Sequence, residues 1–294
     1  MPAPPLDAPL VESVLHPTDF SAGSESAFAH ALAVALLRRT RLSLLHVAPH
    51  PHERGWSEFP AVRKTLERWG LLAKDSPRSA VFRELGISVE KIAIQGRNPA
   101  QVIQEHLEEE PVELIVLATE GRDGLPRWLR GSVAESVARE SEAMTLFVPK
   151  GARGFVDVEN GHLTLRRILV PIAPDPAAEA ALTFATRAAR LAGEGDVEIV
   201  LLHVGGAMPA LDLSPDPAYS FRPVLRSGKV VDAIDAEARE SNADLVVMVT
   251  QGPEHVIDAL RGTTTEQVVR RAACPVLAVP VRWLRAEEVG RWAR

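Results

Sequence analysis

Short apolar runs recur along the chain, and between them lie longer stretches in which alanine and leucine return every three or four positions. In the first half the runs are VLHP, LSLLHV, VEKIAI, ELIVLA and TLFVP, each about the length of a strand. Runs that are apolar at nearly every position leave no face for water, so their strands must be covered on both sides. Their alternation with segments of helical period predicts a parallel sheet between two helical layers, the doubly wound α/β class. Helix starts are marked as well. Asn98-Pro99 sets a capping side chain before a proline at the first helical position, and Ser132 to Glu135 and Thr263 to Glu266 have the spacing of capping boxes.

The pattern occurs twice. SVLHPTDFSAGSESAFAHALAVALLRRTRLSLLHV, from Ser13, aligns with RILVPIAPDPAAEAALTFATRAARLAGEGDVEIVLLHV, from Arg167. VELIVLATEGRDGLPRWLRGSVAESVARESEAMTLFVP aligns in turn with ADLVVMVTQGPEHVIDALRGTTTEQVVRRAACPVLAVP. This predicts two copies of one five-stranded domain, strand order 3-2-1-4-5 in each, over 11–150 and 166–281. Between them GFVDVENGHLTLRR alternates around Asn160-Gly161, so 151–165 is expected to be a linking β-hairpin. Residues 282–294 are left as a C-terminal tail.

Spacing within the copies is unequal. Pro17 and Pro171 stand 154 positions apart and His46 and His203 stand 157 apart, but Gly96 and Gly228 are only 132 apart. The second copy is therefore expected to lack one helix between its second and third strands. In the first copy AVRKTLERWGLLAKDSPRSAVFREL reads as a helix despite Gly70 and Pro77; its replacement, GGAMPALDLSPDPAY, is too short and too rich in proline. Right-handed crossovers would then leave part of one sheet face bare around VEIVLLHV and Phe221, to be covered by the first copy, a second subunit or the remnant loop.

Composition narrows the classes. Of 294 residues, 46% are hydrophobic and 24% charged, ordinary usage for a globular protein, and no run of about 18 apolar residues indicates a membrane span. MPAPPLDAPLVES lacks the pattern of a signal peptide, so a cytoplasmic location is expected. A net charge of -6 argues against nucleic acid as a partner. The one cysteine, Cys274, reads as a packed thiol.

In open α/β sheets a ligand sits beyond the carboxyl ends of the strands where the strand order reverses, here between strands one and four of a copy. In the first copy the loops leaving those strands are Pro17-Thr18-Asp19 and Ala118-Thr119-Glu120-Gly121 onward. Gly121 and Gly131 allow backbone N–H groups to approach an anion, and Ser132 opens a helix whose positive end favours phosphate. Helix capping alone would equally account for Gly131-Ser132 and Gly262-Thr263.

These residues resemble the universal stress protein family in its tandem form, from about Ser13 to about Val281. Nucleotide-binding members carry G-x2-G-x9-G-[S/T] after the fourth strand and an Asp after the first. The first copy reads Ala118-x2-Gly121-x9-Gly131-Ser132, with Asp19 in place: the spacing is kept and one glycine is replaced. The resemblance implies that the final strands, Met144 to Val148 and Val276 to Val279, pair edge to edge between the copies, a tandem analogue of a dimer, and that the first copy binds an adenine nucleotide, with ATP and Mg as cofactors. Asp19 and the backbone near Val47 would face adenine and ribose, while Ala118, Gly121, Gly131 and Ser132 would line ribose and phosphates; Pro17, Thr18 and Val133 complete the site. Glu120 and Asp123 oppose a triphosphate, and Arg122, Arg127 and Arg130 offset them. The second copy has Val249-x2-Gly252-x9-Gly262-Thr263 and Ala173 at the Asp position, so no nucleotide is expected there.

His46, His50 and His52 follow the second strand and His16 ends the first, a grouping in which a metal site is conceivable. His203 recurs at the His46 position without the downstream pair, which favours a hydrogen-bonded structural role; no metal site is expected. The tryptophans read as packing or interface residues. G-x4-G-K-[S/T], H-E-x-x-H and G-x-S-x-G are absent, no residue is assigned a catalytic role, and hydrolysis of ATP would at most be slow. The expected function is that of a cytoplasmic stress-response protein whose nucleotide occupancy tunes conformation or partners, with further assembly into a homo-oligomer. The alternative is a nucleotide-free interaction protein that uses the bare face of the second copy or holds an apolar small molecule beside the missing helix.

Overall fold

Each apolar run forms a strand. In the computed structural model the first copy supplies β1 (Ser13–Pro17), β2 (Arg41–Ala48), β3 (Ser88–Gln95), β4 (Leu114–Thr119) and β5 (Met144–Pro149). The second supplies β6 (Arg167–Ile172), β7 (Val197–Val204), β8 (Tyr219–Arg226), β9 (Leu245–Thr250) and β10 (Val276–Pro280). The structure describes residues 11–48, 59–119, 137, 143–173, 179–192, 196–211, 213–250 and 263–280. All ten strands join one sheet in the order β3-β2-β1-β4-β5-β10-β9-β6-β7-β8. Each copy therefore has the expected order 3-2-1-4-5. Neighbours within a copy run parallel, whereas β5 and β10 meet antiparallel, with Leu277 opposite Leu146. The edge-to-edge contact of Met144 to Val148 with Val276 to Val279 is present as the family resemblance implies.

The described helices are α1 (Ala22–Arg38), α2 (Val62–Arg68), α3 (Arg78–Leu85), α4 (Pro99–Glu109), α5 (Glu179–Leu191), α6 (Val230–Glu240) and α7 (Thr264–Arg271). Side chains of a strand alternate between the two faces. Leu114 and Val116 of β4 join a front cluster with α1, α2, α3 and α5, while Ile115 and Leu117 join a back cluster with α4, α6 and α7. Local chemistry sets the helix ends. Asn98 accepts the Gln101 N–H ahead of Pro99, and Thr263 and Glu266 exchange both bonds of a capping box. Cys274 is buried in the back cluster. Burial, with the Asp244 carboxylate adding to it, pushes its thiol up to about 12, so it is inert packing.

The single helix expected between β2 and β3 is two. After α2 the chain turns at Gly70, whose φ of 72° is left-handed, and α3 begins only after Pro77. Glycine in that conformation ends a helix, and proline supplies no N–H to continue one. In the second copy no helix occupies the described part of 205–218. The remnant loop covers part of the face expected to be bare: Met208, Leu211 and Ala218 pack on the front cluster beside Phe221. Arg190 ties this loop to α5 through Asp216 at 2.9 Å. No described helix is long and apolar enough to cross a membrane.

Between the copies, Val156 pairs antiparallel with Leu163 around a turn in which Gly161 takes φ 72°. This segment lies on the first copy, where Trp69 Nε1 donates to Val158 O at 3.0 Å and the Phe155 N–H donates to His30 Nε2 at 3.2 Å. Its far end is tied to the second copy. The buried Asp244 carboxylate accepts the N–H groups of Arg166 and Arg167, each at 2.8 Å, and the Arg153 guanidinium.

Candidate functional site

The switch point opens because β1 and β4 part early. Their ladder holds only Val14 with Leu114 and Leu15 with Ile115, and the corresponding ladder of β6 and β9 is equally short. Beyond it, in the first copy, lies a cavity of about 210 Å³. Pro17, Thr18, Asp19, Val47 and Ala118 all line it. Gly121, Gly131, Ser132 and Val133 lie outside the described residues, as do His50 and His52.

A chain of hydrogen bonds, invisible in the sequence, supports the β1 side of this crevice. His16 is fully buried; its Nδ1 donates to Val116 O at 2.9 Å, across the point where the strands part. A carbonyl can only accept, so the imidazole proton sits on Nδ1 and Nε2 accepts from Ser24 Oγ at 3.2 Å. With its proton so used, Ser24 Oγ accepts from Thr18 Oγ1 at 2.9 Å, and Thr18 Oγ1 accepts from the Phe20 N–H at 3.1 Å. Every bond points the same way. Burial lowers the His16 pKa to about 4, against the opposing pull of the Val116 bond and the Asp19 charge. A base that weak cannot activate a serine near neutral pH, so Ser24 and His16 position the loop rather than form a nucleophilic pair.

The loop itself is held in an uncommon shape. Asp19 Oδ1 accepts the Ser21 N–H at 2.9 Å, and Phe20 takes φ 62°, a conformation that bulky residues rarely adopt. Its ring stacks on His46 at 4.1 Å and meets Phe59 edge-on at 5.2 Å. His46 Nδ1 in turn donates to Thr18 O at 2.7 Å. The same bond, His203 Nδ1 to Ile172 O at 2.9 Å, recurs in the second copy, which bears out the structural role inferred for this histidine pair.

The opposite wall is set by β2. Thr18 N–H donates to Leu45 O at 2.8 Å, so Leu45 turns its backbone groups toward β1. Backbone direction alternates along a parallel strand, so Val47 turns its N–H and C=O the same way, past the end of β1 and into the crevice. Pro99 and Ile103 of α4, with Leu117, complete an apolar lining. Sequence reasoning noted Asn98-Pro99 only as a helix start and passed over Ser24 and Ile103. The α4 start was the available signal, since a helix beginning after β3 must pack near the β1–β4 gap.

The second copy has lost this chemistry piece by piece. At a constant offset of 154, His16, Thr18, Asp19 and Ser24 correspond to Val170, Ile172, Ala173 and Ala178. Ala118 corresponds to Val249, which is half-buried against the front cluster.

Comparison with known proteins agrees with this architecture. The family model described as the universal stress protein family matches residues 11–149 and 211–280. Two universal stress proteins of Methanocaldococcus jannaschii, MJ0577 and MJ0531, are 26% identical over 157 residues and 30% identical over 147 residues. Each match takes in 48% of this chain, and 96% and 84% of the respective relatives. In fold, a universal stress protein from Archaeoglobus fulgidus superposes with a TM-score of 0.58 at 20% identity, over 92% of this chain and 98% of its own. The Pseudomonas aeruginosa protein PA1789, described as functionally unknown, superposes with a TM-score of 0.59 at 16% identity, over 98% and 99%. With its domain duplicated, its switch-point crevice in the first copy and a family match in both halves, the chain belongs to the universal stress protein family as a tandem member.

Proposed function

We propose that the first copy binds an adenine nucleotide in the crevice between β1 and β4, and that the second copy does not. The observation that carries this reading is the contrast between the copies. One keeps a carboxylate, an oriented hydroxyl relay and an open wall at Ala118, and the other replaces all of them with apolar side chains. The Val47 N–H and C=O present a donor and an acceptor side by side, which suits the edge of adenine, between apolar walls that suit its faces. Asp19 stands at the rim where ribose hydroxyls would donate to it. Phosphates would extend toward Gly121, Gly131 and Ser132. Mg would arrive with the triphosphate, whose oxygens are its usual ligands.

ATP binding measured by calorimetry tests the reading, together with chromatography of an acid extract of the purified protein. Wild type should take up one ATP per chain. Asp19→Ala should weaken uptake about tenfold or more, the usual cost of a lost hydrogen bond to a charged group. Ala118→Val, which copies the residue of the second repeat, should abolish it. A folded wild-type protein that is isolated empty and takes up no ATP would overturn the proposal. In the cell this occupancy would tune the conformation or partners of a cytoplasmic stress-response protein. The competing reading rests on a bare face in the second copy, part of which the loop packed there by Met208 and Leu211 covers.

A further inference from the structure

A second large opening lies away from this crevice. A cavity of about 650 Å³ lies on the front face over the β5–β10 seam, between α1 and α5. Its volume falls within the range of about 300–1,000 Å³ usual for small-molecule sites. Repeat counterparts from both copies form its walls: Leu114 and Leu245, Leu146 and Leu277, Val34 and Ala188. The cavity thus straddles the approximate twofold relation of the copies, with Asp216 of the remnant loop on its border.

Its polar groups break that relation. Arg38, Arg187 and Arg190 line the mouth, where their counterparts at the offset of 154 are Ala192, Ala33 and Leu36. Among the described residues, three guanidinium groups meet one carboxylate, Asp216, which is bonded to Arg190. Arg38 Nε and Arg187 Nη1 are buried without a hydrogen-bond partner. Burial, and the charges of Arg38 and Arg190, also pull the Arg187 pKa below the usual arginine value. Buried donors of charged groups are rarely left unpaired, because each forfeits the hydration it had in the unfolded chain. Water would satisfy the nitrogens but would leave the positive charges uncompensated. A carboxylate accepts from guanidinium groups and neutralises them together.

We propose that this seam cavity is a binding site for a long-chain acyl carboxylate, its chain on the leucine floor and its head group between Arg38 and Arg187. A nucleotide does not suit the site, since the floor offers leucines where a base and ribose need polar partners. The site is independent of the crevice proposed for adenine.

Calorimetric titration with dodecanoate below its micellar concentration, and with the methyl ester of the same chain, tests the proposal. The wild-type chain should bind one dodecanoate, and bind the ester at least about tenfold more weakly. The Arg38→Met, Arg187→Met double variant should lose the preference for the acid while still binding the ester; Arg38→Lys with Arg187→Lys should restore part of it. Ala188→Trp, which fills the cavity while every arginine is kept, should abolish both. ATP uptake should be the same in all of them, which separates this result from that of the nucleotide proposal. Absence of saturable dodecanoate binding by the folded wild type, or equal affinity for acid and ester, would overturn it. So would light scattering that shows a dimer broken by Ala188→Trp, since the cavity would then be a self-association face.

Discussion

Two buried histidines give the first copy a pH dependence. His16 and His30 each have a pKa lowered by burial from 6.5 to about 4. Both are needed neutral: Nε2 of His16 accepts from Ser24, and Nε2 of His30 accepts the N–H of Phe155. Above about pH 6.5 both sites are neutral in the folded and the unfolded chain, and stability does not vary with pH through them. As pH falls from about 6.5 toward about 4, the unfolded chain takes up protons that the folded one refuses. Stability is then lost, by on the order of 3 kcal/mol per histidine once the folded pKa is reached. Urea unfolding at a series of pH values should show this loss, and His30→Gln should remove about half of the slope. Equal slopes in wild type and variant would disprove the assignment. Packing leaves little room for adjustment here, since a Cβ added at Gly154 would lie 2.4 Å from His30 Cε1.

The elements show what was legible in the sequence and what was not. The strands and the duplicated architecture could be read because both-face burial writes apolar residues at nearly every strand position, whereas that pattern does not carry the strand order, and the pairing of the last strands was implied by the family resemblance. The loop at Pro17-Thr18-Asp19 could be read because it leaves a strand at the switch point. The break between Arg68 and Arg78 was misread, since a helical period continues on both sides of the turns at Gly70 and Asp75, both left-handed, and of Pro77. The His16, Ser24 and Thr18 relay was missed because it depends on how α1 is rotated against β1. The convergence of Arg38 and Arg187 brings together residues 149 apart in sequence that no local pattern connects. Trp69, at the end of α2, has a role of the same hidden kind. Its ring lies where a Cβ on Gly161 would come within 2.4 Å, and its Nε1 holds Val158 O. Trp69→Ala should cost about 3–5 kcal/mol by the usual loss for a buried aromatic side chain. It should also release the Val156–Leu163 turn, seen as new protease cleavage within 155–165. Unchanged cleavage there would show that the turn holds without the indole.

At the scale of the whole molecule, the seam is what makes two modest domains one body. Every residue of β5 is buried, which a free edge strand of this composition would not be. Met144, Leu146 and Val148 reach the front cluster together with Val279 of β10, so the core runs across the join. A sheet edge with unpaired N–H and C=O groups and apolar side chains is a template for another strand. A fragment ending at residue 165 keeps the turn on Trp69 but exposes β5 along its whole length. Such a fragment should therefore pair with itself through β5, antiparallel as in the intact chain, and two copies related by symmetry would replace the two repeats. Light scattering at micromolar concentration should find a dimer. Leu146→Lys should return it to a monomer, because the lysine would place a charge beside its own symmetry mate at the center of the new seam. A fragment that stays monomeric while folded would mean that the antiparallel join contributes little, and that the segment between the repeats holds them together instead.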